Sequence, residues 1–193
     1  MNILVINGHP NPTSLTTSLA QTYIETAQSL GASVRYLPIG DLHFNPNLQY
    51  GYAKRIELEP DLLRALDDIN WSTHQVWIYP MWWVGMPAIM KGFFDRLFLP
   101  GLVFKHHMTK PTEGLLQGKT ARIIITMGDL SPEIHHSVYR DSGITPLQEG
   151  ILTYCGVQVE EAEVFGPLND YSPDDIRQLL LQMKEKAKED VKK

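Results

Sequence analysis

Short, almost purely apolar runs alternate with longer amphipathic stretches along this chain, and that alternation limits its fold more than any other feature. The runs are Ile3–Asn7, Ser33–Leu37, Gln75–Tyr79, Arg122–Thr126 and Val157–Val164. The first, third and fourth are nearly continuous in apolar residues, as strands covered on both faces must be. Between them lie helical stripes with clear punctuation. Leu15, Leu19, Tyr23, Ala27 and Leu30 form one, opened by Ser14 and stopped by Gly31. Leu62, Ala65, Leu66 and Ile69 form a second behind Pro60, and Met90, Phe93, Phe94 and Leu97 a third behind Pro87. Thr145-Pro146-Leu147-Gln148 predicts a capping box that opens a fourth helix, stopped at Gly156. Ser172-Pro173-Asp174-Asp175 opens the last, with Ile176, Leu179, Leu180 and Met183 inward and the tail KEKAKEDVKK as a solvated end.

Strand alternating with helix predicts an α/β fold around a parallel sheet. Five strands are too few for a long dinucleotide-binding sheet. The expectation is therefore one domain over residues 1–193: a doubly wound five-stranded sheet in the flavodoxin-like order 2-1-3-4-5, with helices on both faces. Two connections, Asp41–Glu57 and Pro100–Gly118, are long for a compact domain, and their aromatic residues favour a lid or subunit contact over disorder.

Composition removes several function classes. A net charge of −5 offers no basic footprint for nucleic acid. No segment approaches the roughly 20 apolar residues of a membrane span, and MNILVING is too short and unflanked for a signal peptide. Cys155 is the single cysteine, so no internal disulfide forms; a cytoplasmic protein is expected, with Cys155 as a small packed side chain.

The block YPMWWVGMPAIMKGFFDRLF, Tyr79–Phe98, leaves the third strand, turns through two adjacent tryptophans and restarts as a helix. Large aromatic faces in such a turn favour a flat partner, and the carboxyl ends of strands are where α/β sheets bind ligands. A hydrophobic loop or a dimer patch reads the same residues differently. After the first strand there is no G-x-G-x-x-G and no P-loop lysine, but Thr13, Ser14, Thr16 and Thr17 cluster at a helix N-terminus. Free N–H groups and the helix dipole make that an anion site, each bond to a phosphate contributing roughly 1.5–3 kcal/mol. Ser14 also serves as a plain helix cap. The fourth strand ends in ITMGD, where Gly128 permits close approach or an ordinary turn. In the order 2-1-3-4-5 these three loops meet at one crevice, with a phosphate site at one end and aromatics at the other. A flavin mononucleotide portion fits that description better than a sugar or nucleoside.

On these residues the chain resembles the NAD(P)H dehydrogenase (quinone) family of flavodoxin-like flavoproteins. The likeness rests on GHPNPTSL, DLHFNP, YPMWWVGMPAIMKGFFDRLFLPG, GLLQGKTARIIITMG and GILTYCGVQV, and covers most of the chain. The resemblance implies that His9 lies beside the cofactor phosphates and that Ser14, Leu15, Thr16 and Thr17 surround the phosphate. It implies that Pro80, Met81, Trp82, Trp83 and Val84 run under and beside the ribityl chain and ring, with Thr126, Met127 and Gly128 at the ring's other edge. Met127 stands where the family commonly has a glycine. For the tyrosine and histidine that many members carry near hydride transfer, the candidates are His135, His136 and Tyr139.

The resemblance also implies a bound FMN, or alternatively FAD, with NAD(P)H as donor and ping-pong two-electron reduction of a quinone or related aromatic acceptor. It implies a homodimer in which the Pro100–Gly118 loop, Phe104 foremost, walls the partner's site. Rival readings are an azo- or nitro-aromatic reductase, a regulatory flavoprotein subunit of an ion-efflux system, and an electron carrier; the last is disfavoured by the long aromatic loops. The pairs His106-His107 and His135-His136 lack the spacing of a metal site, and none is expected. Asp95 and Arg96 read as a structural ion pair.

Overall fold

The computed structural model describes residues 1–193. In chain order the elements are β1 (Asn2–Asn7), α1 (Leu15–Ser29), β2 (Ser33–Pro38), α2 (Pro60–Trp71), β3 (His74–Pro80), α3 (Ala88–Leu97), β4 (Phe104–Lys105), β5 (Glu113–Gly114), β6 (Thr120–Thr126), α4 (Pro132–Ser137), α5 (Thr145–Leu147), β7 (Gln158–Phe165) and α6 (Pro173–Val191). The parallel sheet runs β2-β1-β3-β6-β7, the expected flavodoxin-like order, because β4 and β5 stand outside it as a short antiparallel ribbon inside the second long connection. β3 is buried along its whole length, as its apolar run requires. The edge strand β7 carries Glu160, Glu161 and Glu163 and skips register opposite Ala121/Arg122, features that discourage pairing with another chain.

Each face of the sheet is covered by its own core. One side packs Leu62, Ala65 and Ile69 of α2 and Met90, Phe93, Phe94 and Leu97 of α3. The other packs Leu19, Tyr23 and Ala27 of α1 with Leu179, Met183 and Ala187 of α6. Leu30, expected on the inward stripe, is exposed, because the helix has already ended and Gly31 has turned the chain with φ 88°. The Asp41–Glu57 connection lies on α3, where a Cβ on Gly92 would clash with Pro46. Buried Arg96 ties that connection down through the carbonyls of Asn45 and Glu57 and the carboxylate of Glu59, while Asp95 pairs with Lys91. The expected Asp95–Arg96 pair does not form, since adjacent helical residues point about 100° apart and these two side chains meet different neighbours.

Two further expectations are corrected. The fourth helix has no capping box: its N-cap is Ile144 and Thr145 already lies inside, since the chain enters from a turn in which Ile144 and Thr145 both donate to the carbonyl of Asp141. It then widens into a π-helical turn, Gln148–Thr153. The tail of α6 is not a solvated end. Ala187 and Asp190 are fully buried, because they continue the face of Met183 at a spacing of four and then three residues. No helix is long and apolar enough to cross a membrane.

Candidate functional site

A crevice of about 580 Å³ opens at the carboxyl ends of β1, β3 and β6. Three loops line it in sequence order: His9 and Ser14–Thr16 after β1, Pro80–Val84 after β3, and Thr126–Leu130 after β6. Tyr139, Leu168 and Asn169 complete the wall.

The first loop is organised by Asn7, a buried residue that sequence reading passed over as the last position of a strand. Its Oδ1 accepts the His9 N–H at 3.0 Å, and its Nδ2 donates to the Thr17 hydroxyl at 3.0 Å and the Tyr36 hydroxyl at 3.1 Å. Thr17 is thereby drawn beneath the loop; of the hydroxyl cluster, Ser14 and Thr16 line the crevice and Thr13 and Thr17 do not. Ser14 caps α1 by accepting the Thr17 N–H, so it does serve as a cap. The N–H groups of Leu15 and Thr16 take no acceptor from the chain, and no acidic residue occupies the first turn. That end of the crevice is therefore electropositive and rich in donors.

His9 adds a directed donor. Its Nδ1 accepts the Asn11 N–H at 2.9 Å, which leaves the proton on Nε2. Burial pulls its pKa below the ordinary histidine value, so the ring stays neutral. Its ring meets Trp82 edge-on, with centroids 5.3 Å apart.

The second loop closes as a tight turn in which Trp82 and Gly85 exchange backbone hydrogen bonds at 2.8 and 3.1 Å. The two central residues, Trp83 and Val84, have φ of 50° and 63°. Left-handed backbone is costly for a β-branched or bulky residue, of order 1–3 kcal/mol each. Trp83 is fully exposed and Trp82 half-exposed. In the third loop the Met127 N–H goes to the Phe165 carbonyl, while the N–H groups of Trp83 and Val84 in the turn and of Gly128 have no acceptor.

Asp129, Leu130, Leu168 and Asn169 were missed from the sequence. The segment after β7 folds back on the third loop, with Leu168 N–H on the Met127 carbonyl and Asn169 N–H on that of Gly128. The Asn169 amide donates to Asp129. Irregular backbone of this kind leaves no periodic trace; the SPDD helix start just beyond it was the nearest cue.

The three chemistry candidates separate. Tyr139 reaches the crevice. His135 is buried behind it, accepting the Gly143 N–H, and His136 is exposed and paired with Asp141 at 2.8 Å. Phe104 lies elsewhere, against His106 and Tyr154 at centroid distances of 5.0 and 5.3 Å, in a second cavity of about 650 Å³ that also takes in Tyr52, Phe94 and Phe98. Cys155 borders that cavity, its thiol pushed up to about 12 by burial and so unreactive.

Comparison with known proteins agrees with this architecture. A family model described as a flavodoxin-like fold matches residues 1–191. An uncharacterized NAD(P)H oxidoreductase of Haemophilus influenzae is 29 % identical over 178 residues, covering 88 % of this chain and 85 % of that protein. NAD(P)H dehydrogenase [quinone] 1 of Rattus norvegicus is 25 % identical over 194 residues, covering 89 % of this chain and 70 % of that one. The crystal structure of Smu.1420 from Streptococcus mutans superposes with a TM-score of 0.77 at 28 % identity, covering 98 % of this chain and all of that one. The chain belongs to the flavodoxin-like family that takes in the NAD(P)H dehydrogenases (quinone).

Proposed function

We propose that this protein is an NAD(P)H-dependent flavin oxidoreductase of the quinone reductase type, with FMN held in the crevice. One observation carries the reading: an alcohol- and amide-lined anion cradle and an indole-bearing turn share a single hollow, with unpaired N–H groups along its edge. The residues present fit the group. Ser14, Leu15, Thr16 and His9 Nε2 would hold its phosphate, Pro80–Val84 would run along the ribityl chain and ring, and Thr126–Gly128 would meet the ring's far edge.

When bound, a flavin supplies two-electron chemistry between NAD(P)H and a quinone. The chain's own part is to position and to polarise. The unpaired N–H groups of Trp83, Val84 and Gly128 stabilise negative charge on whatever lies against them, and they cost no reorganisation because the turn already fixes them. Trp82 and Met81 exclude water from one wall. Tyr139 offers a hydroxyl at the rim, where a reacting substrate needs a donor. Phe104, remote from the crevice of its own chain, is the residue of the 100–118 loop that would wall the partner's site in a homodimer.

The test is the visible spectrum of the purified protein and the identity of the flavin it releases. Bound FMN that NAD(P)H bleaches without oxygen, and that a quinone restores, is the expected result. A protein that is colourless and retains neither FMN nor FAD on reconstitution overturns the reading.

A further inference from the structure

His135 is fully buried and does not line the crevice. We propose that His135 is a positioning residue: a proton-sensitive pin that holds the Gly143 peptide and, through it, the turn carrying Tyr139. The proposal rests on the crevice being the redox site only for its consequence, not for the pin itself.

After α4 the chain doubles back to α5 through a tight turn. Asp141 N–H donates to the His135 carbonyl at 3.2 Å, Arg140 N–H to that of His136 at 3.1 Å, and Ser142 N–H to that of Tyr139 at 3.0 Å. Arg140 and Asp141 have φ of 51° and 56°, two consecutive left-handed residues without a glycine. Such a conformation persists only where the surroundings over-determine it. The Gly143 peptide supplies that constraint. Its N–H donates to His135 Nε2 at 3.0 Å and its carbonyl accepts the Tyr79 hydroxyl at 2.6 Å, both in the interior. A Cβ on Gly143 would lie 2.7 Å from Met81 Sδ and 3.0 Å from His135 Nε2. Met81 and Tyr139 both line the crevice, so this peptide is the backing of the wall.

The pin needs a neutral ring. Nε2 accepts, so the proton is on Nδ1, which is buried without a hydrogen-bond partner. Asp141 Oδ1 is 3.5 Å from it. An imidazolium has no lone pair: on taking up a proton, His135 would turn an Nε2–H against the Gly143 N–H, and the bond would be lost. The charged or titratable groups acting on the ring are Asp141 and His136 from its own segment; the Gly143 peptide beside it also holds the Tyr79 phenol from β3 and lies against the uncharged Met81 and Ile125. Burial disfavours the charged ring, Asp141 favours it, and His136 opposes it, with burial the largest. The opened turn, with its histidine in water, therefore binds a proton more tightly than the pinned one. Opening rises as pH falls below about 6.5, by up to about tenfold per pH unit for one proton.

Hydrogen exchange of a peptide spanning residues 138–145, corrected for intrinsic rates, reads this directly. In the wild-type protein, protection is expected to fall by up to about tenfold per pH unit from pH 6.5 toward pH 5, while α6 in the same sample holds constant. His135→Gln presents an amide oxygen to the Gly143 N–H and does not titrate, so protection should persist and be flat with pH. His135→Ala should lose protection at every pH. A flat wild-type profile, or a His135→Gln slope equal to the wild type's, overturns the pin. Flavin retention measured alongside separates the two readings. A flavin-free protein with the pH-linked exchange would defeat the redox assignment alone, and a flavin-bearing one with flat exchange would defeat the pin alone.

Discussion

At the carboxyl ends of β1, β3 and β6, polar groups are left open; at the amino ends of β3 and β6, they are closed on one another. In the crevice, N–H groups lack acceptors, a tryptophan stands in solvent and two residues hold left-handed backbone. At the opposite end, Asp190 is wholly buried and accepts from the Tyr23 hydroxyl at 2.9 Å and from Arg122 at 2.8 and 2.9 Å. Arg122, also buried, reaches Glu163 at 3.0 Å and Glu189 at 3.2 Å. His74 Nε2 lies 3.4 Å from Asp190. The fold thus keeps its satisfied charges far from the end where unsatisfied groups are useful, so that a ligand site can be strained without loosening the sheet.

The sharpest way to break this contrast is Asp190→Ala. It leaves a buried guanidinium between β6 and α6 with only the more exposed Glu163 and Glu189, and loss of one partner of such a pair costs about 3–5 kcal/mol. Urea unfolding should show that loss; a change under 1 kcal/mol would mean the network is not what fastens α6. A pH arm sharpens the result. Burial opposes the Asp190 charge, but the neighbouring His74 and the hydrogen bonds from Arg122 outweigh it and hold the carboxyl well below the usual carboxylate range. A depressed folded value means stability that is present above the unfolded value of about 3.9 and lost as pH falls below it. The acid limb of the stability profile should flatten in Asp190→Asn.

Of these two ends, only one was legible in the sequence. Continuous apolar runs mark β1, β3 and β6, and with them the place where three loops must converge, so the sequence alone brings the tryptophan turn and the hydroxyl group together. Asp190 was hidden because it sits in a string of charges that reads as a solvated face. Only its register with Met183 and Ala187 marked it, and only Arg122, a lone cation among isoleucines, hinted at a partner. Asn7 was hidden for the opposite reason: it reads as the polar end of a strand, and two of its three hydrogen bonds reach Thr17 and Tyr36, well beyond its neighbours in sequence. Leu168 and Asn169 reach the crevice through backbone bonds to the third loop, which no side-chain pattern encodes.

A smaller effect of opposite sign is expected at the crevice. Val84→Gly removes a β-branched residue from φ 63°. Relief of about 1–3 kcal/mol is set against a glycine entropy cost of about 0.5–1 kcal/mol, so stability should rise by about 1 kcal/mol. Flavin retention should weaken at the same time, because the freed turn no longer fixes the Trp83 and Val84 N–H groups. Destabilisation instead would show that the turn is not strained at rest.

Trp83→Ala should barely touch stability. The side chain is fully exposed, so it loses no packing within the chain, and the change in unfolding free energy should stay within about 0.5 kcal/mol. Its effect belongs to the ligand. An indole laid on a flat ring contributes about 0.5–1.5 kcal/mol beyond the area it buries, which corresponds to a roughly two- to twelvefold weaker hold on the flavin. Titration of the apoprotein with FMN measures that ratio. Retention unchanged in Trp83→Ala, with Val84→Gly still weakened, would shift the role of the turn from its aromatic faces to its backbone N–H groups. A fall in stability as large as that of Asp190→Ala would erase the contrast between the two ends, since the exposed turn would then be fastening the fold as well.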